Sequence, residues 1–224
     1  MNHLRPDPSL ASRETAATDT GPIGTCRRCG TCCRRGGPAL HLEDKTLVTE
    51  GLISPADLYT IRAGEPVRDD VAGGILVSAE SDIVKIRDAP RSRACILFEA
   101  DGNRCTIYAR RPLECRILRC WDTTEIERCY RRDRLARVDL IGHIDGLWDL
   151  VAEHDRRCDA RRLTELARRR GEPGVEAELS GMIRYDETLR EGLTADGRVP
   201  AVILDFLLGR PVSVLLRALR IAAR

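Results

Sequence analysis

The sequence predicts an α+β protein in which a small cysteine-rich region with short hairpins packs on a mainly helical C-terminal half. Three observations carry that expectation. Eight of the ten cysteines fall between residues 26 and 120. The stretches between them hold short β-like runs bounded by Gly, Asp and Asn. From residue 122 onward, apolar residues recur at three- and four-residue steps, the period of amphipathic helices. At 224 residues the chain can bury a real core, so the cysteines are not standing in for one.

Three segments are expected. Residues 1–22 are polar and aperiodic and read as a flexible N-terminal arm. Residues 23–130 read as a cysteine-cluster domain, and residues 131–224 as a helical extension packed on it.

The first cysteine group is Cys26-Arg-Arg-Cys29-Gly-Thr-Cys32-Cys33, four thiols in eight residues. A turn with this spacing brings three side chains to one point, and Gly30 lets backbone N–H groups face the sulfurs. Thiolates select soft metals: zinc, copper(I) or iron–sulfur clusters. The neighbours Cys32 and Cys33 are expected to project apart and to serve different ions. Arg34-Arg35-Gly36-Gly37-Pro38 reads as a turn, Ala39–Leu42 as a short extended piece, and 43–50 as a brief helix stopped by Gly51. His41 reads as a surface or packing residue. Ser54-Pro55-Ala56-Asp57 predicts a helix running to Gly64. Two β-like runs at 75–78 and 82–87, joined by a polar turn, follow.

The second group starts at Cys95. Runs at 96–99 and 104–108 flank Asp101-Gly102-Asn103, a strong hairpin signal, with Cys105 on the second strand. Arg111-Pro112 opens a helix through Arg119 that carries Cys115, and Cys120 lies just past its end. Asp122-Thr-Thr-Glu125 starts a short helix with Cys129 near its end. A longer helix is expected from 139 to 158, with Ile144, Leu147, Trp148 and Val151 on one face. Continuing that stripe brings His154 and Cys158 together as an i,i+4 pair. Such a pair can grip a metal, or it can be a core cysteine beneath a histidine bonded to a carbonyl. Helices are also expected at 159–170, 173–192 and 199–222, the last broken at Gly209-Arg210-Pro211.

Charge narrows the classes. With 37 basic and 35 acidic residues the net charge is +2, so no global field favours nucleic acid, and none is expected as a partner. The arginine pairs after residue 130 alternate with acids and read as solvated faces. Residues 1–20 contain no apolar run, and Pro200–Ala223 is interrupted by Asp205, Arg210, Pro211, Arg217 and Arg220. A cytoplasmic protein with reduced thiols and no membrane span is expected.

The combination Cys26-x2-Cys29-Gly30-x-Cys32-Cys33, then Cys95, then Cys105-Thr-Ile107-Tyr108-x2-Arg111-Pro112-x2-Cys115-Arg116 resembles the YkgJ-type cysteine-cluster family over about residues 24–120. Members are described as zinc- or iron-chelating, some have been labelled iron–sulfur oxidoreductases, and the flagellin lysine methylase carries a similar domain. The resemblance implies Cys26, Cys29, Cys32, Cys33, Cys95, Cys105 and Cys115 as ligands. Many members continue after Cys115-Arg116 with an aromatic–Pro pair. This chain has Ile117-Leu118-Arg119-Cys120-Trp121-Asp122 instead, which adds Cys120 to the candidates.

With His154 and Cys158 the candidate ligand set reaches ten residues. Arg111 and Arg116 are the candidate cofactor contacts, as donors to cluster sulfurs or to an anion. The C-x2-C-x2-C spacing and the absence of a second C-x2-C favour an iron–sulfur cluster over zinc. The expected function is a structural or electron-transfer metal module with a redox or other protein partner. Two alternatives stand beside it: an iron–sulfur-assisted enzyme, such as a protein lysine methyltransferase or an oxidoreductase, and a zinc-chelating structural protein. The enzymatic reading lacks a C-x3-C-x2-C motif, a G-x-G-x-x-G loop and a phosphate loop. Tyr108, Glu114 and Asp122 beside the cysteines read as packing, salt-bridging and capping residues.

Overall fold

The structure, a computed structural model, describes residues 26–195, 197 and 199–222, so the expected arm at 1–22 lies outside the described residues. The chain enters through the cysteine loop and then runs extended. The Leu40 N–H donates to the Val84 carbonyl at 2.8 Å, and the Leu135 N–H to the Leu40 carbonyl at 2.9 Å. A 3-10 turn and helix α1 (Lys45–Thr49) follow, and Gly51 ends them in the left-handed region.

Beyond Ser54 the expected helix gives way to a strand. Only one 3-10 turn forms, Pro55–Asp57, capped by the Ser54 side chain, before β1 (Leu58–Ile61) begins. Leu-Tyr-Thr-Ile is an aromatic and β-branched run, and its Leu58 and Thr60 are fully buried. That alternation outweighs the cap. Strand β2 (Pro66–Asp69) pairs antiparallel with β3 (Ile75–Ser78), and β4 (Ile83–Ile86) returns to pair with β1. The two predicted runs therefore do not pair with each other. The β2–β3 hairpin is inserted between the strands of an outer pair. Strands β5 (Phe98–Glu99) and β6 (Arg104–Cys105) form the expected hairpin, with Asn103 in the left-handed conformation at its turn.

Helices α2 (Leu113–Ile117) and α3 (Thr124–Cys129) stand near their predicted places. The helix expected at 139–158 is two: α4 (Arg137–Ile141) and α5 (Leu147–Arg157). Gly146, at φ +73°, makes the turn between them, and Ile144 is exposed there instead of joining the stripe. The C-terminal half continues as α6 (Ala160–Arg168), α7 (Val175–Thr194), α8 (Leu204–Leu207) and α9 (Val212–Ala222). None of the described helices is long and apolar enough to cross a membrane.

Two large apolar cores result, beside a small cluster of Ala39, Ala79 and Ile83. The first gathers Leu40, Leu58, Val84, Ile86, Cys95, Phe98, Leu135, Val151, Leu204, Phe206, Leu207 and Leu208, drawing from both sides of residue 130. The second gathers Cys158, Leu163, Leu166, Leu179, Met182, Val212, Leu215 and Leu216. Between them runs a seam of buried charge. Arg137, 1 % exposed, binds Asp82 at 2.7 and 3.0 Å, Asp155 at 2.5 Å and the Leu207 carbonyl at 2.7 Å. Arg62 reaches Glu65 at 3.2 Å and the Cys158 carbonyl at 2.9 Å.

His154 lies in the same seam, bonded through Nε2 to Asp186 at 2.9 Å, and Asp186 also accepts from the Val212 N–H at 3.0 Å. Burial alone pushes the imidazole pKa down, but the Asp155 carboxylate 3.6 Å from Nδ1 and the hydrogen bond to Asp186 override it and lift the pKa to about 9. The folded value then exceeds the ordinary one near 6.5. Its stabilisation is complete below that lower value and is lost as pH rises through the upper one. Thermal unfolding from pH 6.5 to 9 should accordingly show a decline in melting temperature that His154→Gln flattens. An equal slope in the variant would refute the charged pair.

Candidate metal centre

The cysteine loop is shaped by two glycines and one arginine. Gly30 sits at φ +73°, and a Cβ there would come within 2.5 Å of the Phe98 ring. Gly37 lies so close to β4 that a Cβ would meet the Ile86 carbonyl oxygen at 2.2 Å. The Arg34 N–H donates to the Gly30 carbonyl at 2.9 Å, which closes the turn that orients Cys32 and Cys33. The Arg34 side chain fastens this turn to the β5–β6 hairpin. It donates to the Cys29 carbonyl at 3.0 Å and the Asn103 side chain at 2.6 Å, and lies 4.9 Å from the centroid of Phe98.

The second cysteine group is brought to this turn by backbone pairing. The Cys95 N–H donates to the Cys33 carbonyl at 2.7 Å. Strand pairing sets Cys105 opposite Phe98. Cys115 rides on α2, whose start is pinned by Asp44. That buried carboxylate accepts from the Leu113 N–H at 2.9 Å and the His41 N–H at 3.0 Å. Glu114 accepts from the Ala39 N–H at 2.8 Å and approaches His41 Nε2 at 3.4 Å. His41, 1 % exposed, is thus a buried tie that positions α2.

Six thiols act on one another electrostatically. Cys32 bears on Cys29; Cys32, Cys115 and Cys105 bear on Cys33; Cys95, Cys32 and Cys105 bear on Cys115. The Cys32 and Cys33 sulfurs lie 3.9 Å apart, so the expectation that these neighbours project apart is not met. That distance is close to the sulfur–sulfur edge of a tetrahedral zinc thiolate, about 3.8 Å for Zn–S bonds of about 2.3 Å. The hydrogen bond between the Cys32 and Cys33 sulfurs lowers the Cys32 pKa to about 6, with the Arg111 charge assisting. Cys33 itself is held protonated by that bond. Burial first, and then its thiol neighbours, push Cys115 up. The Thr31 hydroxyl, 3.2 Å from the Cys29 sulfur, pulls that thiol down.

The other candidates fall elsewhere. Cys26 is exposed at the first described residue. Cys120 is exposed in the turn closed by the Asp122 N–H on the Arg119 carbonyl at 3.0 Å. Cys158 is wholly buried in the second core, with its thiol 3.6 Å from the Met182 carbonyl, and His154 is bonded to Asp186. The structure does not bring these two to the thiol group. Of the two arginines, Arg116 pairs with Glu43, whereas Arg111 lies 3.8 Å from the centroid of Tyr108 with a buried, unbonded Nε. Sequence reasoning missed Arg34 and Asp44, whose partners are 69 residues away in the chain, too far for any local signal.

Among the described residues no three His, Cys, Asp or Glu side chains stand at the spacing that holds an ion, so the thiols would draw together on binding. Their chemistry fits a soft metal: every donor in the group is sulfur, and a cation would offset the hydrogen bond and burial that hold Cys33 and Cys115 protonated, together with the thiol neighbours that add to them. A site built of such thiols defines a metal-chelating cysteine-cluster protein. Residues 25–133 match the CxxCxxCC family model, described as "Putative zinc- or iron-chelating domain". No curated protein and no solved structure matches the chain.

Proposed function

We propose that the chain is a metal-binding module whose thiolates, Cys29, Cys32, Cys33, Cys95, Cys105 and Cys115 with Cys26 from the exposed end of the loop, hold an iron–sulfur centre. The observation that carries this reading is the convergence of the cysteine groups: the Cys32 and Cys33 sulfurs lie 3.9 Å apart, the Cys95 N–H bonds the Cys33 carbonyl at 2.7 Å, and Cys115 on α2 lies within electrostatic reach of Cys95, Cys32 and Cys105. Six or seven thiols exceed the four that one zinc or one cubane takes, which points to a polynuclear centre. The spacing of Cys26, Cys29 and Cys32 suits a cubane. Bound there, iron–sulfur chemistry would supply a one-electron carrier or a rigid structural knot. The residues around it fix the loop, through Arg34 and Gly30, and set α2, through Asp44 and Glu114. Cys120, His154 and Cys158 have no part in this proposal.

Zinc is the second reading, favoured by the 3.9 Å separation of Cys32 and Cys33. Metal analysis of anaerobically purified protein decides between them. The expected result is brown protein with thiolate-to-iron charge-transfer absorption and acid-labile sulfide. Colourless protein holding stoichiometric zinc would replace the iron reading with the zinc one. The module acts on or with a protein partner, and a cytoplasmic setting, which keeps thiols reduced, supports it.

A further inference from the structure

We propose that Arg28 and Arg111 form an oxyanion-binding site on the rim of the cysteine group, taking a small phosphate-type dianion. The inference goes beyond the metal reading, since neither residue is a proposed ligand. Arg28 sits within the cysteine loop and Arg111 just before α2, yet both guanidinium carbons lie over the same ring. They are 4.1 and 3.8 Å from the centroid of Tyr108. The two cations are therefore no further apart than the sum of those distances. Held so close, they repel one another, and the ring quadrupole offsets only part of that repulsion.

Neither has a carboxylate partner among the described residues. Three arginines near Arg111 in the chain do: Arg104 pairs with Glu99, Arg110 with Glu50 and Arg116 with Glu43. Residues 26–37 hold three arginines besides Arg28 and no acid. The Arg111 Nε is withheld from solvent with no acceptor. A buried donor in that state is costly, and a ligand oxygen removes the cost. The planar guanidinium fork matches an oxyanion edge to edge, and two forks match a doubly charged one. Arg111 also lies near enough to Cys32 for its charge to act on that thiol, which places the bound anion at the edge of the cysteine group.

The test is isothermal titration of the purified, metal-containing chain with inorganic phosphate, with acetate as the singly charged control. One phosphate site is expected, weakened roughly tenfold or more by Arg28→Gln and by Arg111→Gln, as loss of a charged hydrogen-bonding group implies. Arg91→Gln, a change at an exposed arginine on the loop before Cys95, should leave it unchanged. Arg111→Lys keeps the charge without the fork and should fall between wild type and Arg111→Gln. Labelling of the unsubstituted chain with phenylglyoxal, mapped by mass spectrometry, avoids any dependence on variant folding: phosphate should protect Arg28 and Arg111 and leave Arg35, Arg91 and Arg93 reactive. Absence of phosphate binding, acetate binding equally well, or protection spread evenly over these arginines would overturn the site. Metal content measured on the same samples reports on the cysteine reading separately.

Discussion

Cys115→Ser is expected to strip the metal and to unfold the first core while leaving much of the second intact. Cys115 is half-buried, and it is the thiol on which Cys95, Cys32 and Cys105 all act. Without the metal, the loop is held by Arg34, the Cys95–Cys33 backbone bond and little apolar packing. Structural metal sites contribute on the order of 10 kcal/mol to folding, so the loss should exceed about 5 kcal/mol and lower the melting temperature by about 10–20 °C. Helices α6, α7 and α9 surround the second core and should retain their circular-dichroism signal. Cys158→Ala serves as the control, because that thiol packs among Leu163, Leu179 and Met182. Its metal content should match wild type. Full metal retention by Cys115→Ser, or metal loss in Cys158→Ala, would contradict the proposed ligand set.

Arg137→Met should cost about 3–5 kcal/mol, the usual penalty for removing one partner of a buried ion pair. The side chain binds two carboxylates and a carbonyl at once, and no water can replace it at 1 % exposure. Asp82 would be left without a counter-charge, facing Asp155. Both retain some solvent contact, and Asp155 keeps Arg62 at 3.7 Å, so the lower half of that range is expected. Chemical denaturation measures the loss, and the double variant Arg137→Met with Asp82→Asn should recover part of it. A loss below about 1 kcal/mol would mean that the seam is held by apolar packing alone.

Local structure was legible wherever the chemistry is local. Asn103 marks its hairpin because a left-handed turn residue is needed there. Capping misled at Ser54, where the hydroxyl does accept from the Ala56 N–H at 3.2 Å but the burial of Leu58 and Thr60 converts the continuation to strand. The nesting of β2–β3 within β1–β4 was not legible, since each strand is four residues of similar character. The candidate site divides in the same way. The motif supplied the cysteine positions, whereas the juxtaposition of Cys33 with Cys95 depends on pairing across 62 positions. The parts played by Arg34, Asp44 and Arg137 come from tertiary partners and carry no mark in their neighbours.

The first core closes only when α8 arrives. Leu204, Phe206, Leu207 and Leu208 pack with Cys95, Phe98 and Leu58, and the Phe206 carbonyl accepts from Thr60 at 2.7 Å. During synthesis, roughly ninety residues must emerge after Cys115 before those side chains are available, which takes about 5–20 s at ordinary elongation rates. For that interval the nascent cysteine region lacks its apolar floor, and its thiols stand open to oxidants, to metal donors and to chaperones. The order of assembly on the ribosome thus becomes a property of the centre: a metal delivered early meets an unfinished cradle, and one delivered after release meets a closed one.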